Sequence, residues 1–527
     1  MKKEMGHDGT PPLFLREEPN RAVFQKGPVF GNGCKTVRTE AFMKREILRK
    51  IRGLLPSAAS GRGFAPLPPE AVESYNRWRP AGPRRLLCYA PFTNLFFNRH
   101  GQVLACCHNH SGIMGAWPAQ SIREIWTGRQ ANLLRSHIRH HDLSHGCTVC
   151  KLDLERGLFP EVKAEHFDAF PARGKYPSAM EFQLETTCNL ECVMCSGEHS
   201  SAIRKNREKG VTANSPYDSR FVRELTPFLA HLSEARFNGG EPFLIGLYPE
   251  IWEQLIRVNP DCSLFVQTNG SVLPARAREI VTQGKFHFGV SINSLDRDRL
   301  ESIQKNADHG TLMENIAFFH GECERKKTTL TLCACAMRKN WEDLPGILDF
   351  ANRLGAYMIF HTVMTPTHLS LWNLDAGTLG KIHSHLSALD FPARTDVQRV
   401  NQVHFQNLAS LIGLWREDAL KREEEGGPED IREKTSPRDR LIAKVRAHIG
   451  KESGSGKEDK AGRLRELTGK IENLEARFPD RAVLNQVMET ILLLPAELLV
   501  VELNLNDEET LFRKAMTYAE RTSADKA

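Results

Sequence analysis

Six short runs of apolar, β-branched and aromatic residues punctuate the middle of the chain, each giving way to polar or glycine positions. They are Met180 to Glu185, Ala235 to Leu244 (ARFNGGEPFL), Ser263 to Gly270 (SLFVQTNG), Phe286 to Asp296 (FHFGVSINSLD), Thr329 to Asn340 (TLTLCACAMRKN) and Ala356 to Met364 (AYMIFHTVM). Such runs read as strands, and the intervals between them, Asp343 to Leu354 among them, are long enough for helices. Strand alternating with helix implies parallel strands, and six such units predict an α/β fold built as a partial (β/α)6 barrel over residues 176–366. Working residues in barrels of this type sit just past the C-terminal ends of strands.

Outside that region the pattern changes. Residues 1–80 mix glycine, proline and charge, and RGFAPLPPEAVESYNRWRPAGPRR reads as a linker or wrapping segment. A basic stretch, Phe42 to Leu55, reads as a packing helix with solvated Lys and Arg, in preference to one lying on anionic lipid. Residues 367–527 lose the strand signal and become helical and charged, with Glu423 to Arg440 and Lys451 to Ala461 expected as loops or disorder. Leu464, Leu467, Ile471, Leu474 and Phe478 repeat at 3,4,3,4 spacing over two heptads, which predicts an intramolecular packing helix more readily than a dimer zipper.

Candidate chemistry lies in the cysteines. Cys188, Cys192 and Cys195 follow the first strand at C-x3-C-x2-C spacing in LETTCNLECVMC. Three thiolates are one too few for a closed zinc site, whereas a [4Fe–4S] cube on three Cys keeps one iron open to a non-protein ligand. Zinc completed by a distant Cys or His is the alternative. Gly239-Gly240-Glu241-Pro242, Thr268-Asn269 and Ser291/Asn293 fall at the ends of the next three strands. A lone GGEP or TNG is a common turn, but their order after the triplet forms one joint pattern.

With these motifs in sequence, residues from about Tyr176 to Pro366 resemble the radical S-adenosylmethionine (radical SAM) enzymes. The resemblance implies that SAM chelates the open iron and that one-electron reduction cleaves it to a 5′-deoxyadenosyl radical. It also implies a one-electron donor such as flavodoxin or ferredoxin. Carried over by motif, Gly239, Gly240 and Glu241, ahead of Pro242, would hold the methionyl amino group, and Ser291 and Asn293 the ribose or methionyl carboxylate. Thr268 and Asn269 would line the same mouth. Met194 stands where an aromatic residue usually packs on adenine, and Asn293 where many relatives carry Asp.

Upstream, Cys88, Cys106, Cys147 and Cys150, with a hairpin turned through Arg99-His100-Gly101, resemble the auxiliary-cluster half-module of the SPASM and twitch families, here N-terminal to the barrel over residues 81–160. The resemblance implies a second auxiliary [4Fe–4S] cluster on those four cysteines, with a zinc knuckle as the alternative. Cys107 is expected to point away as the neighbour of a ligand. His108 and His110 read as loop histidines, Cys34, Cys262 and Cys323 as lone thiols, and Cys333 and Cys335 as facing one side of the fifth strand.

Composition sets outer bounds. The chain has 527 residues, 40% of them hydrophobic, a net charge of +6 and 13 Cys. That length predicts two to four domains. The N-terminus has no apolar signal-peptide core and no run reaches the roughly 18 apolar residues of a membrane span, so a cytoplasmic protein without a membrane span is expected. No nucleic-acid module is found, and no nucleic-acid partner is expected. The functional expectation is a radical SAM enzyme that takes hydrogen from a peptide or small-molecule substrate. Carbohydrate or small-metabolite modification is the alternative, and a non-catalytic iron–sulfur or zinc binding protein the reading from another class.

Overall fold

In the computed structural model, residues 64–515 are described, apart from 110–111, 173, 209–214, 364–365, 426–435, 452–456, 493–498 and scattered positions beyond 500. Cys34, the Phe42 to Leu55 stretch, His110 and Met364 lie outside the described residues.

The six sequence runs become parallel strands β4 (Ala179–Gln183), β5 (Glu234–Phe237), β6 (Ser263–Thr268), β7 (Phe286–Ser291), β8 (Leu330–Ala336) and β9 (Tyr357–Thr362), in that spatial order. Alternation along each strand divides the sheet into two chemistries. Met180, Phe182, Phe237, Val266, Phe288 and Leu332 belong to the main apolar core. Residues one step out of phase are polar though buried: Glu181, Gln183, Arg236, Gln267, His287 and Thr331. Register puts Glu181 beside Arg236, Arg236 beside Phe265 and Phe265 beside His287, so these residues line the barrel's inner face at one level.

The helices between strands are started by side-chain caps. Asp218 accepts from Arg220 N and Phe221 N before Ser219–Leu229, and Asp308 accepts from Thr311 N before the 18-residue helix His309–Lys326. Leu344–Leu354 ends at Gly355, whose φ of 66° suits glycine.

The upstream module joins the same sheet. β1 (Asn94–Asn98) pairs antiparallel with β2 (Gln102–Leu104), which pairs with β3 (Gly115–Ala116), giving the expected hairpin. β1 also pairs in parallel with β4, residue for residue from Asn94↔Ala179 to Asn98↔Gln183. The result is one nine-stranded sheet, β3-β2-β1-β4-β5-β6-β7-β8-β9.

Helix Pro69–Trp78 occupies the stretch read as linker or wrapping, and it wraps: Tyr75 is fully buried, and Arg79 just beyond forms a two-bond ion pair with Asp168, Nε–Oδ2 2.9 Å and Nη2–Oδ1 2.6 Å. Proline at the first helical position is a start signal here, since its missing N–H would be unpaired there in any residue.

After β9, helix Asp396–Glu425 covers the open edge of the sheet. Asn401 on it accepts from Met358 N at 2.7 Å and donates to Ala356 O at 3.0 Å. Further on, Pro437–Lys451, Lys457–Arg477 and Arg481–Leu492 form a separate core in which Leu467 and Ile471 of the heptad seam meet Leu441, Val445, Leu484 and Val487. The seam is therefore intramolecular. Pro437–Arg440 and Lys457–Ala461, expected as loop, are helical; charge-rich sequence is compatible with a helix once a proline start and a packed face support it. Among the described residues no helix is long and apolar enough to cross a membrane.

Candidate active site and the cysteine cavity

The segment leaving β4 carries the cysteine triplet, and its backbone is tied on every side. Gly240 N donates to Glu185 O at 3.2 Å and Glu241 N to Thr187 O at 2.7 Å, which seats the Gly-Gly turn against the residues just before Cys188. The closeness explains the glycines. Gly239 has φ 137°, and a Cβ on it would come within 2.7 Å of Glu185 O; one on Gly240 would come within 2.6 Å of the Thr186 carbonyl group. Ser201 Oγ accepts from Cys188 N at 3.1 Å, Cys195 N reaches Cys192 O at 3.0 Å, and Arg207 Nη2 donates to Cys195 O at 3.2 Å. All three cysteines are half-buried at the C-terminal end of β4.

Glu241 is fully buried, and its carboxylate is already engaged. Oε1 accepts from Thr268 Oγ1 at 2.7 Å and Phe243 N at 3.2 Å, and Oε2 from Asn269 N at 2.7 Å. The side chain therefore knits GGEP to TNG, a duty the sequence did not disclose. Asn269 in turn points its amide at Cys188 Sγ, 3.8 Å away, and at Asn189 Oδ1, 3.2 Å.

At the end of β7, Asn293 is also spoken for on both ends of its amide: Nδ2 donates to Gln304 Oε1 at 2.9 Å and Oδ1 accepts from Cys335 N at 2.8 Å. One donor hydrogen and one acceptor site remain on it. Ser291 is half-buried and accepts from Gln267 Nε2 at 3.4 Å. Met194 packs with Val193 and Cys335 against Ile303, Met337, Val363 and Leu369, an apolar patch beside the triplet. Cys333 donates to Gln267 Oε1 at 3.6 Å.

The four upstream cysteines come together. Cys88, Cys106, Cys147 and Cys150 line one cavity, shared with His108, Asn109 and a ring of Leu and Ala. Burial drives the Cys88 and Cys147 thiols up to about 12, the former opposed by the Ala90 N–H and the latter raised further by Cys88. Burial and the neighbouring cysteines push Cys106 and Cys150 well above the ordinary thiol range. Four thiols crowded this way become thiolates together only around compensating positive charge, the chemistry that an iron–sulfur cluster brings. Cys107 is turned to another cluster with Phe96, Leu104 and Ile113. Among the described residues no three His, Cys, Asp or Glu side chains are grouped as a single metal ion requires.

The two sites lie at opposite ends of the sheet. Cys88 precedes helix Ala90–Thr93, which feeds the start of β1, and Cys106 follows the antiparallel β2 back to that end, while the triplet follows the far end of β4. The strand between accounts for about 16 Å. Polar inner-face residues occupy the interval. Asn94 Nδ2 donates to both Glu181 Oε1 and Ala105 O at 2.8 Å, joining β4 to the residue before Cys106. Arg236 pairs with Glu234 at 3.1 Å and stacks on Phe265 at 3.8 Å, and burial pushes the Glu234 carboxyl above its usual range. His287 is driven down to about 3 by burial and is neutral.

Comparison with known proteins agrees with this layout. Residues 184–351 match the radical SAM superfamily, and residues 88–151 match SPASM, an iron–sulfur cluster-binding domain. A probable GTP 3′,8-cyclase of Methanocella arvoryzae is 31% identical over 136 residues, 25% of this chain and 39% of that protein. The one from Methanosarcina acetivorans is 24% identical over 262 residues, 49% of this chain and 73% of that protein. The chain thus spans about two fifths of the first relative and about three quarters of the second. Streptococcus suis SuiB bound to precursor peptide SuiA is 12% identical over 50% of this chain and 51% of that one at a TM-score of 0.31, too loose a likeness to bear on function. Residues 184–351 thus carry a radical SAM domain, and residues 88–151, ahead of it in the chain, a SPASM iron–sulfur cluster-binding domain.

Proposed function

We propose that the protein binds SAM at the Cys188–Cys192–Cys195 site and uses it to remove hydrogen from a peptide or small polar molecule held in the barrel lumen. The observation that carries this reading is the triplet at the β4 end, pinned by Gly239–Glu241 and faced by Asn269, with a polar lumen leading from it toward a second four-cysteine cavity. When bound, a three-cysteine [4Fe–4S] cluster supplies an open iron for the methionyl end of SAM and the electron that breaks a C–S bond to release a 5′-deoxyadenosyl radical.

The chain's own part is placement. Cys188, Cys192 and Cys195 hold the cluster. Gly239 and Gly240 offer backbone carbonyls to the methionyl amino group, held at that position by the buried Glu241 and by Pro242. Ser291 and the remaining valences of Asn293 serve the ribose or carboxylate, and Met194 gives the adenine an apolar wall. Cys88, Cys106, Cys147 and Cys150 hold the auxiliary cluster, with a zinc knuckle on the same four cysteines as the alternative. The electron comes from a carrier such as flavodoxin or ferredoxin.

A nucleoside triphosphate, which the relatives' name would suggest, fits the lumen poorly. Glu181 and Glu234 face it from β4 and β5, and Arg236 is already paired and stacked. A substrate without a polyanionic tail is favoured, peptide first and sugar or small metabolite second.

The test is anaerobic. Reconstituted protein with dithionite and SAM should release 5′-deoxyadenosine, and Cys188→Ala, Cys192→Ala or Cys195→Ala should each abolish it while the fold survives. Release at the wild-type rate from any of the three would remove the central claim.

A further inference from the structure

Asn109 sits at the rim of the four-cysteine cavity, 2% exposed. Its Nδ2 donates to Cys147 Sγ at 3.3 Å and to His145 O at 3.5 Å, while its Oδ1 accepts from Gly112 N at 2.8 Å. Two glycines are built around this amide. A Cβ on Gly112 would stand 2.8 Å from both Nδ2 and Oδ1, and one on Gly146, whose φ is 85°, would stand 2.7 Å from Oδ1. The carboxamide is thus clasped between two positions that have no side chain, one of them immediately before Cys147. Cys88 and Cys106 take their hydrogen bonds from backbone, the Ala90 and His108 amides. Cys147 takes one from a side chain, which substitution can remove.

We propose that the Asn109 carboxamide sets the reduction potential of the auxiliary cluster through its N–H···S bond to Cys147. This rests on the cavity being an iron–sulfur site. Reduction adds negative charge to the cluster and its sulfurs. A fixed donor aimed at one sulfur stabilises the reduced form more than the oxidised one and raises the potential. The clasp matters because it removes the amide's freedom to turn away. Asn109 acts through Cys147 and is a positioning residue.

The test is an EPR-monitored redox titration of the full-length, anaerobically reconstituted protein. The two clusters are told apart because added SAM alters the signal of one and not the other. In Asn109→Ala and the near-isosteric Asn109→Asp, the SAM-insensitive signal should keep its intensity. The ratio of reduced to oxidised cluster at the wild-type midpoint should fall about tenfold, a shift of about 59 mV for one electron. Gly112→Ala, which pushes the amide aside without deleting it, should shift the midpoint the same way by less. An unmoved midpoint with the cluster present in both Asn109 variants would overturn the proposal. So would loss of that cluster in all three variants, which would make Asn109 a residue that holds the loop. If wild-type protein itself shows one SAM-sensitive cluster and zinc in place of the second, it is the iron–sulfur reading of the cavity that fails.

Discussion

Glu241 shows how much structure one motif residue can hold together besides the ligand contact its motif implies. Its two oxygens take hydrogen bonds from Thr268, Phe243 and Asn269, so the carboxylate binds one loop to another. Glu241→Gln keeps size and removes an acceptor, turning an NH2 toward a buried donor at a cost of about 1–3 kcal/mol to the turn. SAM binding to the iron-loaded protein should weaken while iron content holds, measurable by equilibrium binding alongside iron assay. Unchanged affinity with falling iron would instead assign Glu241 to the cysteine loop. The cysteines and the glycine turn were legible in the sequence, because metal ligation and close backbone approach each demand one residue type at a fixed spacing. Asn109 and the loop-to-loop hydrogen bonds of Glu241 and Asn269 were not. An amide or a carboxylate can bond to many partners, and the partner is chosen by segments 28 to 81 residues away.

Among the elements, the edge of the sheet is the informative case. β9 would expose unpaired backbone groups, and helix Asp396–Glu425 meets them with Asn401, which serves Met358 N, Ala356 O and Asn352 Oδ1 at once. Asn401→Leu would leave a buried N–H and C=O without partners, each about 1–3 kcal/mol. The Met358 amide should then exchange with solvent faster than the amides of β6 and β7; equal protection across the three strands would show that the helix is not what seals the edge. Strand order β4 to β9 could be read from alternating periodicity, since each crossover keeps neighbours in sequence neighbours in space. The pairing of β1 with β4 could not: their paired residues are 85 positions apart, and no turn fixes the register. The helix at Pro69–Trp78 was obscured for another reason, as the prolines that start it also resemble those of a linker.

At the scale of the molecule, two cysteine sites share one sheet. If both hold cubane clusters, anaerobically purified protein should carry about eight iron atoms, falling to about four when Cys147 and Cys150 are both replaced. Cys107→Ala should leave the count unchanged, because Cys107 faces Phe96 and Leu104 and lies outside the cavity. In the double variant SAM cleavage should persist, since the triplet's supports come from β4, β5 and β6. One zinc with four irons in the wild type would make the upstream module structural.

The five paired positions between β1 and β4 also bear on inheritance. A module attached by a tether could be exchanged for another with little consequence, but this one is stitched into the barrel's own hydrogen-bond ladder. Slipping that ladder by one residue would turn Asn94 and Phe96 to the opposite face and break the Asn94 bridge between Glu181 and the approach to Cys106. The separation between the two cysteine sites is therefore counted in residues of strand, insensitive to the length of the segment connecting them. Replacing the module would therefore disturb the first strand of the barrel as well.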